Sequence, residues 1–223
     1  MQKFTVKQTP IEDLLVISPN TLGESRVYLS DLEAEESIAA IESIGIEEKF
    51  VHHSAERLAR GVLRGLHFQR EDSYGRMIAV AAGRILCVAV DLRPDYQSFG
   101  AAYSVEIHSE NEIMLYVPPY FAMGFMTLEP KTEVIINSAA VPDIKAESGI
   151  IWDDEVLNID WQFERYEIDE KYLNISPRDK KSPSFRMYNP NTIWINRPRK
   201  SKYALSRKTK QVERVNMRGI TRD

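Results

Sequence analysis

The feature that most constrains the fold of this chain is a dense series of short β-type segments in its middle. Runs rich in Val, Ile, Leu and Tyr recur there, and Gly, Pro, Asp or Ser residues separate them. No helical pattern lies between these runs, so a sandwich, jelly roll or barrel is favoured over a parallel α/β sheet. We predict strands at residues 14–18, 27–29, 61–68, 77–82, 84–92, 101–107, 112–117 and 134–138.

Two segments outside this series have a different pattern. Between residues 30 and 49, Ala, Glu and Ile recur at helical spacing and Ser30 or Asp31 can cap the start, which predicts one short helix. Residues 164–172 fit either a short helix or a loop insertion. The chain has no run of about 18 apolar residues, so we predict no membrane span.

The charge is unevenly distributed along the 223 residues, whose net charge is −4. Residues 197–223 are rich in Lys and Arg and contain only Glu213 and Asp223 as acidic residues. We predict a single domain over residues 1–196 and a basic C-terminal tail over residues 197–223. No aromatic interleaving or nucleic-acid motif accompanies the basic residues, so we interpret the tail as solvated or packed on an acidic partner, rather than as a nucleic-acid-binding segment.

The N-terminus and the cysteine content bear on the compartment. The first ten residues lack the apolar core of a signal peptide. Cys87 is the only cysteine and lies in a strand-like segment, which predicts a buried thiol and no internal disulfide. We therefore expect a cytoplasmic protein.

Four histidines are present, and their spacing does not favour a metal site. His52 and His53 are adjacent, so in a strand they would point to opposite faces. His67 is followed by Phe68 and Gln69 rather than by a second histidine, unlike the His-x-His pattern of metal-binding cupins. We predict no metal.

His67 is the histidine whose surroundings best suit catalysis. In a regular strand over residues 61–69, Leu63, Gly65 and His67 would share one face, and Arg64 and Leu66 the other. A glycine beside a histidine leaves room for a ligand, and histidine is the most frequent general base near neutral pH. A hydrogen-bonded core histidine is the alternative that composition alone favours.

Several segments occur together in a characteristic order, namely residues 61–69, 83–93, 98–100, 109–111, 116–118, 121–125, 149–154 and 158–161. This ordered set resembles the dTDP-4-dehydrorhamnose 3,5-epimerase family. The similarity extends over residues 2–161 and again near residues 175–185. It implies a mainly β, cupin-type double-stranded β-helix (a jelly-roll barrel) with a few short helices, forming a homodimer without metal or organic cofactor. It implies an enzyme that inverts the carbons flanking the 4-keto group of a nucleotide-linked 6-deoxysugar.

The resemblance also implies catalytic roles. Inversion next to a ketone needs a base that removes a proton, a group that stabilises the enolate, and an acid that returns a proton. His67 matches the family's base. Asp179, within residues 174–179, matches the carboxylate that orients this base, and Asp169 is the alternative because the preceding segment is longer than usual.

The partner that the resemblance implies is a nucleotide-diphosphate sugar. Arg26 and Arg64 match phosphate-binding positions, and arginine suits diphosphate through its paired donors. Arg76 stands where the family usually has a lysine near the 4-keto oxygen. Gln69 and Asn111 complete the predicted substrate-binding residues.

At three further positions an apolar residue stands where the family pattern has a polar one. Ile136 stands at the position of the acid tyrosine, Met123 at that of a second histidine, and Cys87 at that of an aspartate. One hypothesis is therefore a modified epimerase in which water, Tyr74 or Tyr103 returns the proton. The other is an altered or inactive family member that binds a nucleotide sugar, or serves as a partner of a sugar-pathway enzyme. A retained histidine–aspartate pair would favour the enzyme, and an apolar plug filling the sugar pocket would favour binding alone.

Overall fold

The computed structural model describes residues 4–19 and 41–188, and these ranges are dominated by β-strands. Three 3-10 helices follow the main series of strands, at Glu170–Tyr172, Asp179–Lys181 and Phe185–Met187. The strands are β1 Phe4–Gln8, β2 Leu15–Pro19, β3 His52–Leu58, β4 Val62–Gln69, β5 Arg76–Ala82, β6 Arg84–Asp91, β7 Ala102–His108, β8 Met114–Val117, β9 Phe121–Thr127, β10 Thr132–Ser138, β11 Glu147–Gly149 and β12 Asn174–Ile175.

The strands form two sheets, and nearly all their pairings are antiparallel. The first sheet has the order β1-β2-β8-β5-β10-β3, and the second has the order β11-β4-β9-β6-β7, with β12 added in parallel to β4. One apolar cluster joins the two sheets, since it contains Ile78 and Leu115 from the first and Ile85 and Phe125 from the second. This arrangement is the cupin-type jelly roll that the sequence predicts.

Most predicted strands are confirmed within a few residues, namely β2, β4 to β8 and β10. The sequence patterns did not predict β1, β3, β9, β11 or β12. Strand β3 is missed because it is polar and largely exposed at the edge of its sheet, whereas β9 is entirely buried but interrupted by Gly124. Predicted strand 27–29 lies outside the described residues.

Within the predicted helix, residues 41–43 are helical but residues 44–49 are not, and residues 20–40 lie outside the described ranges. Residues 164–172 form turns followed by the 3-10 helix Glu170–Tyr172, so the loop insertion is the better of the two interpretations. The basic tail also lies outside the described residues, and the domain boundary at residue 196 stays a prediction. No helix within residues 4–19 and 41–188 is long and apolar enough to cross a membrane.

Strand β4 carries an irregularity that decides which side chains face the interior of the barrel. It pairs with β9 at Arg64 and Phe125, and again at His67 and Met123, so β4 has one residue more than its partner in this interval. The extra residue is a β-bulge, and it reverses the alternation of faces. The prediction that Arg64 and His67 lie on opposite faces is therefore wrong.

Glycine permits this bulge. Gly65 has φ of +105°, and a Cβ atom placed there would lie 2.6 Å from the Cα of Gly124 and 2.7 Å from the carbonyl oxygen of Met123. Strands β4 and β9 thus approach each other too closely for any side chain at position 65. Leu63 and Leu66 then pack into a second apolar cluster with Trp152 and Trp161.

We expect Gly65→Ala to lower the free energy of unfolding by about 3 kcal/mol or more, because it adds a steric clash to an unfavourable backbone conformation. Gly61→Ala is the matched control. Gly61 also has a positive φ, +77°, but its added Cβ would meet nothing closer than 3.9 Å. Its cost should be only about 1 to 2 kcal/mol. Urea denaturation measures both values, and equal losses would contradict a special constraint at Gly65.

Candidate active site

An open cavity of about 220 Å³ is bordered by both sheets. From the first sheet, β3 contributes His52, Ser54 and Glu56, which alternate along the strand and therefore share its inner face. From the second sheet, β4 contributes Arg64 and His67, on either side of the bulge. The bulge is thus the reason that a predicted phosphate-binding residue and a predicted base line the same cavity.

His67 and Asp179 form a hydrogen-bonded pair at this cavity. The Nε2 atom of His67 lies 2.7 Å from the Oδ1 atom of Asp179, although the two residues are 112 positions apart in the chain. Asp179 begins the 3-10 helix Asp179–Lys181, and its backbone N–H donates to the hydroxyl of Ser176. The second carboxylate oxygen, Oδ2, accepts a long hydrogen bond of 3.4 Å from the N–H of Gly65.

The pKa of Asp179 follows from its contacts. Burial by itself would raise the pKa of Asp179, whose side chain is only 3% exposed, but the hydrogen bond and charge of His67 outweigh it and lower the pKa. Gly65 and Ser176 act in the same direction. An ionised carboxylate can only accept, so Nε2 of His67 is the donor in this hydrogen bond and Nδ1 is the ring nitrogen that faces other groups.

A second carboxylate stands on the other side of the imidazole. Glu147, in β11, places its Oε1 atom 3.7 Å from the Nδ1 atom of His67. Arg178 holds Glu147 through a 2.6 Å ion pair to the other oxygen, Oε2. The two ring nitrogens of His67 therefore face two different carboxylate side chains.

Arg76 and Tyr74 also line the cavity. Arg76 is the first residue of β5, and Tyr74 lies in the loop before it. The guanidinium of Arg76 donates to the carbonyl oxygens of Phe121, at 2.9 Å, and of His67, at 3.3 Å. These bonds use at most three of its five N–H groups. Burial lowers the pKa of Arg76, whereas neighbouring Tyr74, Cys87 and Glu147 raise it.

Tyr74 keeps its proton at neutral pH. Burial raises the pKa of its phenol above the usual value, against the opposing effect of Arg76, and the charge of Glu147 raises it further. A hydrogen bond with Gln69 acts to lower it. Gln69 is itself nearly buried and lines the cavity, so the two side chains form one polar wall.

The three residues that the resemblance predicts as departures, Cys87, Met123 and Ile136, do not form a plug. Met123 and Ile136 line the cavity and make part of its wall apolar, but the space in front of them stays open. Cys87 lies behind this wall, fully buried in the apolar cluster that contains Met123. Burial raises the pKa of the Cys87 thiol to about 12, so it is an uncharged core group, in agreement with the sequence-based interpretation.

Several predicted residues lie elsewhere. The side chain of Asn111 accepts from the N–H of His108 and donates to the carbonyl oxygen of Glu106, so it closes the turn after β7 and does not line the cavity. Asp169 caps the 3-10 helix Glu170–Tyr172 and pairs with exposed Lys171 instead of His67. Tyr103 lines a different depression, with Tyr96 and Ser98. Arg26 lies outside the described residues.

Two cavity carboxylates, Glu56 and Glu147, escaped the sequence-based prediction. In a strand, Glu56 lies on the same face as His52 and Ser54. This pattern predicts Glu56 at the cavity only if β3 is first recognised as a strand. Glu147 carries no local signal, since its position depends on the pairing of β11 with β4. Within residues 4–19 and 41–188, no three His, Cys, Asp or Glu side chains gather as a metal site requires.

Comparison with known proteins agrees with this geometry. The family model described as dTDP-4-dehydrorhamnose 3,5-epimerase matches residues 8–187. The dTDP-4-dehydrorhamnose 3,5-epimerase of Methanothermobacter thermautotrophicus is 34% identical over 180 residues, which cover 79% of this chain and 96% of that protein. The enzyme of the same description from Escherichia coli is 32% identical over 179 residues, covering 80% and 92%.

Solved structures of similar proteins include nucleotide complexes. The dTDP-6-deoxy-D-glucose-3,5-epimerase of Legionella pneumophila, in complex with dTDP-4-keto-L-rhamnose, has a TM-score of 0.73 at 26% identity and covers 85% of this chain and 97% of its own. The dTDP-4-dehydrorhamnose 3,5-epimerase of Bacillus anthracis, with TDP and PPi bound, has a TM-score of 0.70 at 28% identity and covers 81% and 99%.

Fold and site together define a cupin-type β-barrel protein with a histidine–carboxylate pair in an open cavity. With the matches above, the sequence-based assignment is confirmed. The chain belongs to the dTDP-4-dehydrorhamnose 3,5-epimerase family.

Proposed function

We propose that this protein is a nucleotide-sugar epimerase that inverts C3, C5 or both in a nucleoside-diphosphate-linked 4-keto-6-deoxysugar. The observation that carries the proposal is the His67–Asp179 pair, with 2.7 Å between Nε2 and Oδ1, beside a cavity that can admit a ligand. The relatives named above carry the same activity in their names, which supports a role in deoxysugar and cell-surface polysaccharide biosynthesis.

His67 is the proposed base. Its Nδ1 atom removes the proton next to the 4-keto group, and the resulting imidazolium is stabilised by Asp179 on Nε2 and by Glu147 near Nδ1. The negative charge that develops on the keto oxygen needs a donor in the same cavity. Arg76 is that donor, since its carbonyl contacts leave guanidinium N–H groups for an oxyanion.

Tyr74 is the proposed acid in place of the tyrosine that Ile136 replaces. Inversion requires that the acid reach the carbon from the side opposite the base. His67 belongs to the second sheet, whereas Tyr74 lies in the loop that leads into β5 of the first sheet, and both line the cavity. The raised pKa of Tyr74 keeps the phenol protonated and ready to donate.

The alternative function is nucleotide-sugar binding without turnover, favoured by the apolar wall of Met123 and Ile136. The open cavity and the intact histidine–carboxylate pair favour the enzyme. A homodimer and a cytoplasmic location stay predictions under either function.

The proposal is tested by proton NMR in deuterated water with dTDP-4-dehydro-6-deoxyglucose. The wild-type protein should introduce deuterium at C3 or C5, because the proton that His67 removes exchanges with solvent. His67→Asn should slow this exchange by about a hundredfold or more, since the amide cannot act as a base. Wild-type protein that broadens the ligand signals without exchange would favour the binding alternative.

The role of Asp179 is tested by the same substitution at two aspartates, with Asp169 as the control. Asp179→Asn should slow deuterium entry because an amide no longer stabilises the imidazolium, whereas Asp169→Asn should leave the rate unchanged, since Asp169 is exposed and paired with Lys171. Loss of exchange in Asp169→Asn but not in Asp179→Asn would overturn the assignment of the pair.

Tyr74→Phe should separate proton removal from inversion. His67 can still remove a proton and return deuterium to the same face, so labelled starting sugar should accumulate while the inverted product forms about a hundredfold more slowly. Tyr103→Phe is the control, because Tyr103 lines a different depression. Unchanged inversion in Tyr74→Phe, measured by the same NMR assay, would exclude Tyr74 as the acid.

A further inference from the structure

The cavity contains an ion pair that the proposed reaction does not use. Arg64 directs both terminal nitrogens at Glu56, with 2.7 Å from Nη1 to Oε1 and 2.5 Å from Nη2 to Oε2. Glu56 belongs to β3 in the first sheet and Arg64 to β4 in the second, so the pair spans the two sheets. Both residues line the cavity of His67.

A phosphate group bound to Arg64 would make the same two contacts that Glu56 makes. Two parallel N–H to oxygen contacts form the paired recognition by which arginine binds carboxylate or phosphate. In the structure, Glu56 already occupies the face of Arg64 that a diphosphate would use. A carboxylate at this position also repels an incoming phosphate.

The pair is nevertheless accessible. The side chains of Glu56 and Arg64 are both 42% exposed, and ion pairs exposed to this extent are weak because water screens them. A ligand with more than one negative charge can therefore displace the glutamate, at a cost in affinity that depends on Glu56.

We propose that Glu56 is a binding-site residue that competes with the ligand's diphosphate for Arg64. This inference rests on the proposed function, since it assumes that the cavity binds a nucleoside-diphosphate sugar. Its consequence is that Glu56 weakens the binding of any ligand held through its diphosphate, and that contacts elsewhere in the cavity supply the remaining affinity.

The test is calorimetric titration of the full-length protein with dTDP, inorganic pyrophosphate and thymidine. Glu56→Gln should bind dTDP and pyrophosphate about tenfold more tightly than the wild type, because the amide neither repels phosphate nor holds Arg64 as strongly. Thymidine, which lacks phosphate, should show no change. Pyrophosphate reports the phosphate contacts whatever base the natural ligand carries.

Glu133→Gln is the matched control. Glu133 also pairs with an arginine of β3, Arg57, but that pair does not line the cavity. The substitution removes the same charge from the adjacent strand β10, so it should leave all three affinities unchanged. If Glu133→Gln gained as much affinity as Glu56→Gln, the effect would come from the general loss of a negative charge. That result would overturn the inference.

Combination with Arg64→Gln separates competition from simple repulsion. Competition predicts that the gain from Glu56→Gln largely disappears once Arg64 is absent, and a gain of the same size in that background would contradict it. If the wild type binds dTDP and Glu56→Gln binds no more tightly, the inference fails and the proposed function stands. If no variant binds dTDP or pyrophosphate, both fail.

Discussion

The site depends on the close contact of two strands at a pair of glycines. Gly65 and Gly124 let β4 and β9 approach so closely that a Cβ atom on either would lie within 2.7 Å of the opposite backbone. The bulge at this contact directs Leu63 and Leu66 into one apolar cluster and Arg64 and His67 into the cavity. Without it, the alternation of a regular strand would place the phosphate-binding candidate and the base on opposite faces.

The charged groups of the cavity are arranged around this frame. Asp179 stays ionised and accepts from Nε2 of His67, whereas half-buried Tyr74 stays protonated. A candidate base and a candidate acid therefore lie in one cavity, which the guanidinium of Arg76 also lines. The apolar side chains at positions 123 and 136 change the wall behind the ligand without closing the space. The predicted replacement of the family tyrosine by Ile136 is thus compatible with the proposed acid–base site, in which Tyr74 of another loop is the acid.

Much of the fold was predictable from the sequence because buried strands carry a strong local pattern, as in residues 84–92. The pairing of His67 with Asp179 was anticipated from family resemblance, and the two side chains do lie in hydrogen-bonding contact. The inward orientation of Arg64 was not predictable, since a bulge depends on the partner strand and leaves no alternation to detect. Glu56 was missed for a related reason: an exposed, polar edge strand resembles a loop. Asn111 was assigned to the substrate, but its amide is engaged by its own turn.

We propose that one cavity holds the diphosphate at Arg64 and the sugar between His67 and Tyr74. A crystal structure of the wild-type protein with dTDP-4-keto-L-rhamnose, the ligand of the Legionella pneumophila enzyme, tests it most directly. We predict that C3 or C5 of the sugar lies about 3 to 3.5 Å from the Nδ1 atom of His67, a distance suited to reaction. A sugar outside the cavity, or one whose reacting carbons point away from His67, would contradict this placement of the substrate.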